Sequence, residues 1–158
     1  MLCWFLATAI VTIWFVFRDA RFDHRLLLVG AVLPELDVVT GGAWVMHTLL
    51  FSVMLLVAVM IATTGRKPVR RVLLGLPIGT FLHLVFDGAW ADTSTFWWPA
   101  GGSALDQPLR AAERGWWNVP LELAGVAVLA WAWRRGRLGD RARRRDFLAS
   151  GRLALDTP

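Results

Sequence analysis

The chain has 158 residues, 56% of them hydrophobic and only 18% charged, with a mean hydropathy of +0.51; a soluble domain runs nearer about 25% charged and 45–50% apolar, so an ordinary soluble globular domain is a poor fit. The net charge of +5 rests almost wholly on Arg residues that flank apolar blocks, a distribution that speaks against nucleic-acid binding. Cys3 is the only cysteine, which rules out an internal disulfide, and ten Trp with no Tyr suit an interfacial belt built from Trp alone.

Five apolar segments follow one another. The first runs from Leu2 to Phe17 and ends at Arg18. It lacks the basic start of a signal peptide, no small-x-small cleavage site follows, and Arg18, Arg21 and Arg25 come after it, which predicts an uncleaved span with its N-terminus outside. The second runs from Leu26 to about Val39 and is interrupted by Pro34, Glu35 and Asp37, so it either crosses tilted or only dips in. The third, Trp44 to Thr64, would rise about 31 Å as a helix and cover the hydrocarbon core. The fourth runs from Val72 to Trp90, and the fifth from Trp116 to Trp133. Gly75, Pro77 and Gly79 in the fourth predict a kink and close helix packing.

Positive charge falls in three clusters: Arg18, Arg21 and Arg25; Arg66, Lys67, Arg70 and Arg71; and a long run from Arg134 to Arg145. The connections between them are poor in it, since 40–43 hold none and 91–115 set Arg110 and Arg114 against Asp92, Asp106 and Glu113. Basic loops stay in the cytoplasm, and five passes with the N-terminus outside put all three clusters there. The expectation is an all-α, polytopic helical bundle of about five transmembrane or partly inserted helices, occupying residues 1–135 in a bacterial-type inner (cytoplasmic) membrane. Residues 136–158 form a basic cytoplasmic tail, read either as a solvated orientation signal or as an amphipathic helix on anionic headgroups.

This orientation brings ionisable residues to one depth near the outer face: Glu35 and Asp37, His47, His83 and Asp87, and Glu122. Each costs roughly 2.5–3.5 kcal/mol to insert, so they must face the bundle interior and compensate one another. His83 and Asp87 are four apart and share a helix face. A divalent cation is an economical compensation, because His with Asp or Glu is a ligand set for zinc, and for manganese or non-haem iron. Plainer readings stand beside this one. A lone His can be a packing residue, Asn118 and Glu122 can cap the fifth segment, and Glu35 and Asp37 can sit in outer water.

The run Leu33-Pro34-Glu35-Leu36-Asp37, then Met46-His47-Thr48, then His83-Leu84-Val85-Phe86-Asp87-Gly88, then Trp97-Trp98-Pro99 resembles the YdjM-like family of predicted membrane-bound metal-dependent hydrolases. The order and spacing match from about residue 26 to residue 100, roughly half of the chain. Glu35 replaces the usual first Asp, and Val38 stands where many members carry another His. The basic residue that often precedes the His47 element is missing, with Gly41, Gly42 and Ala43 there, so any such charge would have to come from Arg110 or Arg114.

The resemblance implies a metal-dependent hydrolase. Asp37, His47, His83 and Asp87 would hold the ion, with Glu35 as a fifth ligand and Glu35 or Asp37 as general base. Zinc is the expected ion. Residues 91–115 would cover the site, and their Phe96, Trp97 and Trp98 suit a lipidic substrate or simple anchoring; Gly101 and Gly102 allow a turn. The partners are then membrane lipids and a lipid or lipid-linked ester or phosphoester. The alternative is a non-catalytic membrane protein, an assembly, lipid-binding or ion-handling module whose polar cluster pairs internally.

Overall fold

The computed structural model describes residues 1–18, 22–40, 42–101, 108 and 110–155, with side chains described at all of these except 38–40 and 111. Arg21, Gly41, Gly102 and Asp106 of the sequence reading lie outside the described residues, and so does the side chain of Val38. Among the described residues the fold is all-helical with no strand. Nine α-helices follow in order: α1 (Leu2–Phe17), α2 (His24–Val32), α3 (Leu49–Ala62), α4 (Lys67–Leu73), α5 (Gly75–Asp87), α6 (Thr93–Phe96), α7 (Arg110–Arg114), α8 (Asn118–Arg135) and α9 (Arg141–Ser150). One helical stretch, Lys67–Asp87, is long and apolar enough to cross a membrane, while Leu2–Phe17 and Leu49–Ala62 are shorter apolar helices.

The second and third segments differ from the expectation. The second is α2 followed by a 3-10 helix over Leu33–Thr40, because Pro34 cannot continue the α ladder. The third does not begin at Trp44. A short 3-10 turn, Val45–His47, comes first, Thr48 breaks to extended backbone, and its hydroxyl caps α3 by accepting from the Phe51 N–H at 3.0 Å. His47 therefore sits on a turn ahead of the helix and not on the helix itself.

Glycines set the central helix pair. A Cβ at Gly79 would overlap the Leu27 carbonyl oxygen, one at Gly75 would lie 2.9 Å from the Leu27 nitrogen, and one at Gly30 would overlap the Leu76 carbonyl oxygen. Backbones that close run side by side, here with α2 and α5 parallel. The pair α1 and α8 is also parallel, with Gly125 of α8 against the backbone of Cys3 and Trp4, and Trp14 meeting Trp131 at 5.3 Å lower down. At the far end of α3 the Arg70 guanidinium donates to the Thr63 hydroxyl and carbonyl at 3.2 and 3.1 Å, so α3 turns back into α4.

On α3 burial is inverted relative to a water-soluble bundle. On α3 only Ser52 and Val59 are buried, while Val53, Met54, Val57, Met60 and Ile61 are exposed. The interior of the upper bundle holds Asp37, His47, Thr48, Thr80, His83 and Asp87. The basic tail folds back on the opposite end: Leu153 and Leu155 are buried with Ile10 and Ala132, and Arg25 donates to the Leu148 and Ala149 carbonyls that end α9.

Candidate metal centre

Three side chains converge at the top of the α2–α5 pair. His47, His83 and Asp87 each place a ligand atom within 4.8 Å of the others, and all three are buried. His83 and Asp87 reach this point because they lie one turn apart on α5. His47 arrives from the 3-10 turn before α3, its ring edge-on to that of His83 at 5.4 Å.

The partners behind the imidazoles fix which nitrogen faces the cluster. His83 Nδ1 lies 2.8 Å from the Ala31 carbonyl oxygen, and since a carbonyl only accepts, Nδ1 carries the proton. His47 Nδ1 lies 2.8 Å from Asp37 Oδ2, which also accepts from the Trp44 N–H at 3.0 Å. Both rings are thereby held as the tautomer that offers Nε2 as a lone pair. Metal-bound histidines are characteristically backed in this way, by a carboxylate or a backbone carbonyl. Phe5 of α1 lies tilted against His83 with ring centroids 3.8 Å apart, walling off that side. A set of two imidazoles and one carboxylate fits a divalent transition metal with a position left open.

The remaining sequence candidates are placed differently. Asp37 stands behind His47 and orients it; it is not one of the three converging groups. Glu35 is 3.2 Å from the Met1 ammonium group and is likewise outside the cluster. Both are candidate ligands of the sequence analysis, and after Pro34 the 3-10 path turns one carboxylate towards His47 and the other towards the start of α1. Glu122 caps neither its own helix nor a metal. Its two oxygens accept the Cys3 and Trp4 N–H groups at 3.0 and 3.2 Å, an acidic cap on α1 supplied from α8.

Asp87 has a second partner. The Arg114 guanidinium of α7 forms an ion pair with its carboxylate and donates to its backbone carbonyl at 2.7 Å. A small cleft opens beside it, lined by Ala43, His47, Asp87, Asp92, Phe96 and Arg110 among others, with room for the centre of one water-sized occupant, about 10 Å³. Burial pushes the Asp92 carboxyl up, but hydrogen bonds from the Ser94 hydroxyl and N–H outweigh it and hold the group below the usual carboxylate range. The Ala31 carbonyl and Phe5 carry no sequence signal, being backbone and an ordinary apolar residue. Arg114 carried a weak one, as one of two cations in an otherwise neutral connection.

Comparisons of this chain with protein-family models, curated proteins and solved structures give no match.

Proposed function

We propose that the protein is a membrane-embedded, metal-dependent hydrolase whose site lies near the extracytoplasmic face. One observation carries the proposal: the donors of His47, His83 and Asp87 lie within 4.8 Å of one another while both Nδ1 atoms are engaged from behind. Internal packing alone needs no such convergence of ligand atoms. The membrane part of the reading, five passes with the basic tail in the cytoplasm, draws support from the inverted burial on α3. It also draws support from the helix directions, since α2 parallel to α5 and α1 parallel to α8 is what alternating passes require.

Zinc is the ion we assign, with manganese or iron compatible with the same ligands. When bound, it supplies Lewis acidity to the scissile group and lowers the pKa of water towards about 7. The protein's own residues do the positioning. His47 and His83 turn Nε2 towards the cluster because their Nδ1 positions are engaged from behind by Asp37 and the Ala31 carbonyl. Asp87 supplies the anionic ligand, and Phe5 keeps water from the far side of His83. The substrate we assign is an ester or phosphoester on a lipid, because Phe96 lines the cleft and Trp90 and Trp97, each next in sequence to a lining residue, are exposed. The motif order shared with the YdjM-like family agrees with this reading.

A second reading has its own observation. Asp87 with Arg114, Asp37 with His47 and Glu35 with the N-terminus are already paired, as a non-catalytic membrane module would require. Elemental analysis of the purified protein separates the two. About one divalent ion per chain, lost in His83→Ala and Asp87→Ala, and a thermal stability that falls with EDTA are expected. A folded, metal-free protein indifferent to chelator would establish the paired module instead.

A further inference from the structure

We infer that the group this site recognises is a phosphate ester and not a carboxylic ester, an inference that rests on the metal-site reading above. Two guanidinium groups stand at the cluster: Arg114, bonded to Asp87 through side chain and backbone carbonyl, and Arg110, which lines the same cleft as His47 and Asp87. They come from opposite ends of one short helix, α7, so both are delivered by a single element. The ligand set itself contributes one carboxylate and two imidazole rings. Facing it in the cleft are a second carboxylate, Asp92, already engaged by Ser94, and Arg110, while Arg114 sits on Asp87. With a divalent ion bound, Arg110 and Arg114 set positive charge beside the ion, against the carboxylates of Asp87, Asp92 and Glu113.

A neutral carboxylic ester has no use for that charge in its ground state. A phosphate ester brings one or two negative charges that must leave water, and planar guanidinium forks match its oxygens. Both arginines are paired, and each would have to share its present partner to serve in this way. Arg110 is otherwise held by Glu113 at 3.3 Å, an exposed i,i+3 pair of little strength. Arg114 would share Asp87 with the ion, and a cation on that carboxylate would take over part of the neutralisation the guanidinium gives it.

The test uses zinc-loaded full-length protein in detergent, titrated with inorganic phosphate and, separately, with acetate. Wild type is expected to bind phosphate well ahead of acetate. Arg110→Gln is expected to weaken phosphate about 10-fold, and Arg110→Gln with Arg114→Gln further still, both at an unchanged zinc content. Arg110 is part-exposed, so its variant stays informative where the Arg114 change disturbs folding. Zinc at full occupancy with phosphate no tighter than acetate, or with phosphate binding indifferent to Arg110→Gln, would overturn the phosphate assignment and leave the metal site standing. No zinc in wild type would overturn both.

Discussion

Asp37→Asn tests whether this carboxylate orients His47 or ligates the ion. Asp37 is 2% exposed, and its Oδ2 accepts from both His47 Nδ1 and the Trp44 N–H. Asn keeps an acceptor oxygen of the same shape and removes only the charge. The bond to His47 then drops from charge-assisted to neutral, a loss of about 1–2 kcal/mol. At about 1.4 kcal/mol per decade that is roughly 5- to 30-fold in metal affinity, in line with the 10- to 100-fold typical of such backing residues. The assay is competition for zinc against a chromophoric chelator with EDTA-stripped protein, alongside a circular dichroism check of helix content. Asp37→Asn should bind zinc more weakly yet stoichiometrically, while His83→Ala should not bind measurably. Loss of binding as complete as in His83→Ala would make Asp37 a direct ligand, and wild-type affinity would show that it does not orient His47.

Four further outcomes are expected. Gly79→Val should push α2 off α5, withdraw the Ala31 carbonyl from His83 and cost about 1–3 kcal/mol, lowering both melting temperature and zinc affinity, while Gly139→Ala, with open space around it, should change neither. Glu122→Ala should lower the melting temperature by removing the cap on α1, about 1 kcal/mol or more, with zinc content unchanged; a loss of zinc would place Glu122 in the metal centre. In a Cys3→Ser background, an impermeant maleimide added to intact cells should label Pro108→Cys and not Gly139→Cys, and the reverse pattern would invert the topology. Burial raises the Asp23 carboxyl, but the side-chain and backbone hydrogen bonds with Arg25 and its charge outweigh this and hold it below the ordinary range. A depressed carboxyl adds stability above its unfolded pKa and loses it as pH falls through the folded one. Amide exchange at residues 148–152 should therefore rise relative to the intrinsic rate on acidification below the usual carboxylate range, and an unchanged ratio would refute the clamp.

The sequence by itself determined what is local or additive. Apolar blocks bounded by arginine mark the helices, and Leu2–Phe17 is bounded as its composition dictates. The spacing of His83 and Asp87 is a property of one helix, so their common face was legible at once. The packing role of Gly75 and Gly79 was legible too, because small residues one turn apart permit close backbone approach and little else.

Only the tertiary structure decided which carboxylates belong together. Asp37, Glu35 and Glu122 look alike along the chain, yet they end on His47, the N-terminal ammonium group and the first N–H groups of α1. Each destination is an unsatisfied donor whose position depends on where another element ends, and a linear pattern does not encode that distance. The same holds for the Ala31 carbonyl behind His83, which any residue type would supply, and for Arg114, separated from Asp87 by a connection that shows no periodicity. That these ionisable residues would cluster followed from the sequence; which of them converge, which stands behind His47 and which caps α1 followed from the fold.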